Sequence, residues 1–233
     1  MDAENLPVRY MTLAGRISPA LGCLLALTAG GLTTLSAAPF ALWWLGPVAV
    51  ALVYSGIHVL TPAQAGLRGW CYGVGLFGSG ASWVFVAIHD YGYTGAPLAL
   101  FLTGLFVASL ALFFAVPFWL YRRVTGPRLA FLSFAGIWVL SEWLRTWLFT
   151  GFPWLLLGTS QVDSPLAAWA PVGGVYLLSL ITALTGTLGV ELLRRRWWAA
   201  APIAVLWLAP MALPTQWTFP AGEPLRVALL QGN

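Results

Sequence analysis

Residues 96–121 read APLALFLTGLFVASLALFFAVPFWLY and contain no charged side chain. A helix needs roughly 20 consecutive apolar residues to cross a hydrocarbon core about 30 Å thick, so this segment is long enough to cross once. The rest of the chain has a similar composition, because charged residues make up 8%, apolar residues make up 60%, and the mean hydropathy is +0.83. Soluble domains carry about 25% charged residues. The sequence therefore predicts an integral membrane protein.

Further uncharged segments lie on both sides of this one. The long segment before Arg68 is divided by Ser36-Ala37-Ala38-Pro39, a small-residue turn that ends in a helix breaker. A cleaved signal peptide is the alternative for the N-terminus, but more spans follow and no convincing A-x-A site is present, so we expect the first helix to be retained. The fold class is an all-α polytopic bundle of about seven transmembrane helices. The predicted spans are 17–36, 40–60, 66–88, 96–121, 129–149, 165–191 and 197–213.

The distribution of arginine predicts the orientation in the membrane. Lysine is absent, so the net charge of +4 depends on where the arginines fall. Cytoplasmic loops are enriched in basic residues, and a cytoplasmic N-terminus puts nearly all of them inside. The segment after Leu213 is then on the non-cytoplasmic side, and the basic pI reflects topology instead of nucleic-acid binding. The inside residues are Arg9, Arg16, Arg68, Arg122, Arg123, Arg128, Arg194, Arg195 and Arg196, and the outside ones are Asp90, Asp163, Glu223 and Arg226.

The composition changes after the last predicted helix. Residues 1–213 form the predicted transmembrane domain, and the proline-punctuated residues 214–224 form a linker. Residues 225–233 then have the apolar pattern of a buried strand in an α/β sheet. Since one strand is not stable without neighbours, the chain, whose last residue is Asn233, is expected to stop just inside a second, soluble domain.

Two ionisable residues interrupt the apolar pattern of the fifth predicted helix. Glu142 and Arg145 lie three residues apart and therefore share one helix face, where they can pair with each other or together hold a neighbouring loop. An ionisable residue in a membrane span is costly and indicates function by default. A structural role at the outer end of the helix and a direct substrate role both remain open, and in either case the side chains should face protein or water.

The next segment cannot continue that helix. Residues 149–155 read FTGFPWL, and Pro153 lacks a backbone donor and clashes with the preceding turn. Non-helical backbone at membrane depth is tolerated where it is buried in protein or lines a cavity. A re-entrant or interfacial loop is therefore predicted, with Phe152 and Trp154 suited to the headgroup level.

A glycine-rich segment, residues 73–84, lies within the third predicted helix. Glycines at steps of two and three residues let another helix or a lipid chain approach the backbone closely. Tight helix packing and an acyl-chain groove are the two interpretations. No strand precedes the segment, so a nucleotide-binding loop is excluded.

The other reactive side chains form no recognisable site. Cys23 and Cys71 lie in predicted helices, where packing is the expected role and a disulfide has no support. His58 and His89 are isolated and make no metal set, and no cofactor is implied. Glu191 precedes a run of three arginines, and a solvated cytoplasmic pair is expected there.

Five motifs, taken together and in order along the chain, closely resemble the bacterial apolipoprotein N-acyltransferases. They are FGSGASWV (residues 77–84), EWLR (142–145), TGFPWL (150–155), APVGGVY (170–176) and VALLQGN (227–233). The resemblance implies a multi-pass enzyme of the bacterial inner membrane. Its implied partners are a phospholipid acyl donor, membrane lipids and a diacylglyceryl-prolipoprotein, whose N-terminal Cys accepts the acyl chain; no nucleic acid is involved.

The resemblance also implies that the catalytic groups are not in this chain. In that family a periplasmic nitrilase-like domain, which begins with the strand at 225–233, supplies a Glu-Lys-Cys triad that acts through a thioester, so the triad is expected beyond Asn233. Neither Glu142, Cys23 nor Cys71 matches a triad member, and the family's last transmembrane helix is also missing, so this chain alone is predicted to be inactive. The residues expected to help bind substrate are Glu142, Arg145, Phe152, Pro153, Trp154, Phe77 and Trp83.

Two other classes of function remain open. A small transporter would need ionisable or broken-helix elements in matched repeats, and the sequence contains no such repeat. A non-catalytic membrane anchor or assembly module would bind a partner through its unpaired terminal strand.

Overall fold

The computed structural model describes residues 19–57, 60–126, 129–214, 216–223 and 225–231. Helices joined by short connections extend to Ala212, and the described residues after it form neither helix nor strand. The α-helices are α1 Pro19–Ser36, α2 Leu45–Ile57, α3 Pro62–Gly80, α4 Trp83–Val86, α5 Ala96–Val124, α6 Ala130–Arg145, α7 Ala170–Leu193 and α8 Ala200–Leu208. A π-helical turn, Ala87–Tyr91, follows α4. Short 3₁₀ turns occupy Leu148–Thr150, Leu157–Gln161, Pro165–Trp169, Trp197–Ala199 and Ala209–Ala212.

The helices confirm an apolar, all-helical architecture but not seven full-length spans. By length and composition, Ala96–Val124 and Pro165–Leu193 are long enough to cross a membrane. A third span results if Pro62–Gly80 and Trp83–Tyr91, which meet at 56°, count as one. The span predicted over 66–88 is therefore built from two helices that meet at a bend, and a single crossing there stays a prediction. The apolar helices Ala20–Ser36, Leu45–Ile57 and Trp197–Ala212 are shorter, and the seven-span bundle stays a prediction.

Local chemistry explains the end of α1 and the start of α3. Helix α1 ends at Ser36, as the following turn and Pro39 predict. Helix α3 begins with a capping box, in which the Thr61 side chain accepts from the Gln64 amide and the Gln64 side chain accepts from the Thr61 amide. Pro62 occupies the first turn of that helix, where its missing N–H has no cost.

Glycines of α3 make direct helix packing possible. A Cβ atom added to Gly75 would clash with the backbone carbonyl of Leu27 on α1. A Cβ atom added to Gly69 would clash with the backbone of Phe114 on α5. A Cβ atom added to Gly73 would lie 2.6 Å from a backbone atom of α5. Helix α3 therefore lies between α1 and α5 at short range, which confirms helix packing as a role of the glycine-rich segment.

An aromatic cluster joins α3, α5 and α6 in the core. The ring centroid of Tyr72 lies 4.8 Å from that of Phe114 and 5.1 Å from that of Trp138, and all three rings are buried. Edge-to-face contacts of this kind add to the stabilisation from apolar burial. They hold α6 against α3 and α5, and Glu142 lies one helical turn beyond Trp138.

The buried position of Glu191 contradicts the prediction of a solvated pair. Its side chain is 2% exposed and accepts a hydrogen bond from the Tyr54 hydroxyl at 3.1 Å. Arg194 Nη1 and Arg196 Nη1 donate to its two carboxylate oxygens at 2.9 and 2.7 Å. The prediction was wrong because α7 packs on α2 and the two arginines fold back over the carboxylate.

The predicted terminal strand over 225–233 is not formed in the part of it that the structure describes. Residues 225–231 have no regular secondary structure, and Leu229 and Leu230 are 95% and 97% exposed. The physical reason is the absence of a neighbouring strand among the described residues, since backbone donors and acceptors of one strand need a partner. Asn233, the last residue of the predicted strand, lies outside the described residues. A second domain that begins here, and a catalytic triad beyond Asn233, both stay predictions.

The two cysteines and several charged residues complete the comparison with the sequence predictions. Cys23 and Cys71 are free, half-buried thiols, as expected for packing residues. Several residues named in the sequence predictions also lie outside the described residues. They are His58, Arg128 and residues 1–18, which include Arg9, Arg16 and the predicted start of the first helix.

Candidate functional site: a loop held by two buried charges

The chain leaves helical geometry directly after α6. Phe149, Thr150 and Leu155 have φ values of 54°, 71° and 58°, and Gly151 has a φ of 85°. Left-handed backbone costs about 1–3 kcal/mol at a residue other than glycine. The interruption predicted from Gly151 and Pro153 is confirmed, and the loop needs contacts from elsewhere to keep this conformation.

Arg145 supplies the first set of these contacts. Its side chain is 1% exposed, and its guanidinium lies over the ring of Phe77, 5.1 Å from the ring centroid. Nη1 donates to the carbonyl oxygens of Phe152, at 3.0 Å, and Trp154, and Nη2 donates to that of Leu155 at 3.4 Å. In return the Phe152 amide donates to the Arg145 carbonyl at 2.7 Å. One buried cation thus satisfies the carbonyl groups of the loop.

Glu142 holds the far end of the same loop. It is 1% exposed, and its Oε1 accepts from the Leu157 amide at 2.7 Å and from Trp138 Nε1 at 3.2 Å. None of the ion pairs in the described part of the chain joins Glu142 to Arg145. The two side chains therefore hold the neighbouring loop instead of pairing, and both face protein, as expected for charges in an apolar helix.

Aromatic side chains surround this pair. Phe77 and Phe152 are buried with their ring centroids 6.1 Å apart, and Trp154 lies 5.0 Å from Phe152. Trp154 also contacts Trp83, at 6.1 Å between centroids, and both tryptophans are about half exposed. With the exposed Pro153, these residues complete the seven that the sequence predicted, and the structure brings all seven into one region.

Helix α7 supports the loop from the other side. The Thr146 and Tyr176 hydroxyls are 2.8 Å apart, and the Gly158 amide donates to Ser179 Oγ at 2.8 Å. The sequence predictions did not include Tyr176, Ser179 or Trp138 among the site residues. The signal that bears on Tyr176 is the preceding glycine pair in APVGGVY, since Gly174 has a φ of 64° and the helix departs from regular geometry there.

The arrangement is a scaffold and contains no acid–base pair among the described residues. The hydrogen bonds of Glu142 and Arg145 go to protein groups of the loop and its supports, and the Ser179 hydroxyl beside Glu142 accepts from the Gly158 amide. Both thiols are on α1 and α3. The side chains can fix the shape of residues 149–157 and present the aromatic groups of the loop at one end of the helices. The guanidinium of Arg145 is buried against the loop, and a direct substrate role of this residue stays a prediction.

These features define a class of apolar helical protein in which buried side chains hold the loop that interrupts a helix. A family model, the apolipoprotein N-acyltransferase N-terminal domain, matches residues 29–188, and the chain belongs to this family.

Curated relatives agree with the family model. The chain is 50% identical to apolipoprotein N-acyltransferase of Pseudomonas syringae pv. tomato, over 91% of this chain and 44% of that protein. It is 48% identical to the protein of that name from Azotobacter vinelandii, over 91% and 43%. The Methylococcus capsulatus protein is 42% identical over 90% and 43%. The chain thus spans less than half the length of the curated relatives it matches.

Proposed function

We propose that this chain is the membrane domain of an apolipoprotein N-acyltransferase. The complete enzyme would transfer an acyl chain from a phospholipid to the N-terminal diacylglyceryl-Cys of a lipoprotein. The match of the family model to residues 29–188 carries the proposal, supported by the name shared by the relatives. Since the chain spans 44% of the first of these relatives, the catalytic groups are proposed to lie in the part that it does not cover, beyond the position of Asn233.

The proposed chemistry needs groups that this domain lacks. A thiolate attacks the phospholipid ester carbonyl, and a thioester forms as the lysophospholipid leaves as an alcohol that takes up a proton; the amine of the lipoprotein then attacks the thioester, and the amide forms as the thiol is released. A Glu acts as the base for the thiol, and a Lys stabilises the oxyanion. Lysine is absent from the sequence, and Glu142 is committed to Trp138 and Leu157, so the chain alone is proposed to be inactive.

The proposed contribution of this domain is to hold a lipid-accessible surface. In the loop after α6, Pro153 and Trp154 are exposed. Arg145 and Glu142 are buried and bind the backbone of the same loop. A rigid support can keep a substrate-binding surface in productive geometry without touching the reacting atoms. Arg145 is therefore proposed as a positioning residue, and the aromatic groups of the loop as lipid contacts.

The positions of the arginines support an orientation of this domain, and of the loop, in the bacterial inner membrane. Arg122 donates to the Leu60 carbonyl at 2.9 Å, and Arg194 lies over Tyr54, so these arginines share one end of the helices. The loop after α6 lies at the opposite end of the helices from these arginines. Because basic residues favour the cytoplasmic side, we propose a cytoplasmic N-terminus and a periplasmic loop.

The test of the function uses a full-length enzyme that contains this domain, in isolated membranes. Mass spectrometry of the N-terminal peptide of a lipoprotein distinguishes the diacylated from the N-acylated form. We expect N-acylation by the full-length protein, a loss of about tenfold or more in Arg145→Ala, where several hydrogen bonds disappear, and little change in the exposed Arg123→Ala.

Two results would contradict parts of this proposal. The absence of N-acylation in a well-folded full-length protein would exclude the function. Unchanged N-acylation in Arg145→Ala would exclude the positioning role and leave Arg145 as a structural residue.

A non-catalytic assembly module is the second function that an observation favours. Val227, Leu229 and Leu230 are apolar yet almost fully exposed, and an exposed extended segment can add to the sheet of a partner. Co-purification of a separately encoded nitrilase-like polypeptide would support this function. A chain that purifies alone and binds no such polypeptide would contradict it.

A further inference from the structure

Three buried polar side chains lie close together where α3 meets α6. Glu142 and Arg145 are each 1% exposed, and Tyr72 of α3 is fully buried. The charges of Glu142 and Arg145 both act on the Tyr72 hydroxyl, which places the three groups near one another. They therefore form one polar centre inside an otherwise aromatic part of the core.

Two atoms of this centre have no hydrogen-bond partner in the part of the chain that the structure describes. They are Glu142 Oε2 and Arg145 Nε. The other carboxylate oxygen, Oε1, accepts from Trp138 and Leu157, and the Nη atoms of Arg145 donate to carbonyl groups of the loop. The Ser179 hydroxyl lies beside Glu142 but forms no hydrogen bond with Oε2. Because a buried donor or acceptor is costly when it is unpartnered, each of the two atoms requires a partner.

The two atoms are not partners of each other. None of the ion pairs among the described residues joins Glu142 to Arg145, so the carboxylate and the guanidinium are too far apart for direct contact. A single water molecule can bridge two polar atoms up to about 5.5 Å apart, which is twice a usual hydrogen-bond length. One bridging water can therefore satisfy the donor and the acceptor together.

The Tyr72 hydroxyl supplies a third partner for such a water. Thr33 Oγ1 donates its hydrogen to the Ala29 carbonyl at 3.0 Å, and it lies 2.9 Å from the Tyr72 hydroxyl. Because a hydroxyl has only one hydrogen, Tyr72 must be the donor to Thr33. The Tyr72 oxygen then keeps an acceptor position for another donor. Three partners are typical of a buried water.

We propose that one water molecule is bound between Glu142, Arg145 and Tyr72. It accepts from Arg145 Nε and donates to Glu142 Oε2 and to the Tyr72 hydroxyl, so both of its hydrogens have acceptors. Since Tyr72 is hydrogen-bonded to Thr33 of α1, the water links α1 and α3 to the two side chains that hold the loop. This inference does not rest on the proposed function.

Hydroxyl-radical footprinting of a full-length enzyme that contains this domain tests for the water. Radicals formed by X-ray radiolysis of a bound water modify the side chains next to it, and mass spectrometry identifies the modified residues. Phe77 lies under the Arg145 guanidinium, whereas Phe134 packs against Tyr54 and Tyr121, and both phenylalanines are fully buried. We expect Phe77 to be modified severalfold more than Phe134. Equal modification of the two would overturn the proposal.

A matched pair of variants tests the partners of the water. Tyr72→Phe removes the hydroxyl that accepts from it, whereas Tyr121→Phe removes a hydroxyl that binds the Ala130 carbonyl. Modification of Phe77 should fall about fivefold in Tyr72→Phe, as for the loss of one hydrogen bond, and should not change in Tyr121→Phe. Equal effects of the two variants would contradict the site. The comparison of Phe77 with Phe134 in the unaltered protein decides the question even if Tyr72→Phe does not fold.

A density map that resolves ordered waters provides an independent test. We expect a water peak within hydrogen-bond distance of both Arg145 Nε and Glu142 Oε2. A direct contact between these two atoms, without a water, would overturn the proposal. Neither measurement reads N-acylation, so the water site and the proposed function can fail separately.

Discussion

Both ends of the helices contain a buried carboxylate near arginine, but the two ends use these charges differently. At the end near α2, Glu191 binds Arg194 and Arg196 directly, at 2.9 and 2.7 Å. At the other end, Glu142 and Arg145 are each about 1% exposed, yet each binds backbone groups of residues 152–157 instead of the other.

The difference shows what each pair of charges stabilises. The carboxylate of Glu191 is neutralised by arginine side chains that reach solvent. Its hydrogen bond with Tyr54 links α7 to α2 at this end of the helices. The charges of Glu142 and Arg145 compensate for a backbone that cannot form helical hydrogen bonds. A surface that must hold a defined shape needs side-chain support of this kind, so the contacts support the proposal that the loop end is the functional one.

The largest expected effect in this comparison is that of Arg145→Ala. The change leaves three loop carbonyl groups without their donor and removes the cation near buried Glu142. We expect the free energy of unfolding to fall by about 3–5 kcal/mol, as when one partner of a buried charged network is lost. Equilibrium unfolding in mixed micelles, followed by circular dichroism, measures the change. A loss below about 1 kcal/mol would show that the loop keeps its conformation without Arg145.

Glu191→Ala should have an intermediate effect. Arg194 and Arg196 are partly exposed, so both can return to solvent when the carboxylate is removed, and only Tyr54 loses a buried acceptor. The expected loss is about 1–2 kcal/mol in the same unfolding experiment, and the activity of a full-length enzyme should be retained. A loss equal to that of Arg145→Ala would remove the distinction between the two ends.

The smallest effects are expected for a matched pair of hydroxyl deletions. Tyr176→Phe removes the contact with Thr146 beside the loop, and Tyr54→Phe removes one of three donors to Glu191. Each should cost about 0.5–1.5 kcal/mol of unfolding free energy. In a full-length enzyme, N-acylation should decrease only in Tyr176→Phe, because only that residue supports the loop. Equal decreases in activity would indicate a general effect of stability.

Much of the candidate site was predictable because its signals are local. Proline and glycine at 151–153 exclude a regular helix, and a charge in an apolar helix predicts a buried partner. The same local rules predicted the end of α1 at Ser36. The bend between α3 and α4 was missed, since residues 81–82 are not helix breakers.

The amino-acid sequence alone establishes the apolar helices and their main interruptions, including the break that follows Arg145. These features depend on side-chain chemistry within a few neighbouring residues. Tertiary structure decides which partner each charge selects. Glu191 is buried because Tyr54, 137 positions away, reaches it, and Glu142 binds the Leu157 amide because the loop folds back over α6. Likewise, residues 225–231 are exposed and form no strand, because a strand requires a neighbour that local sequence does not provide.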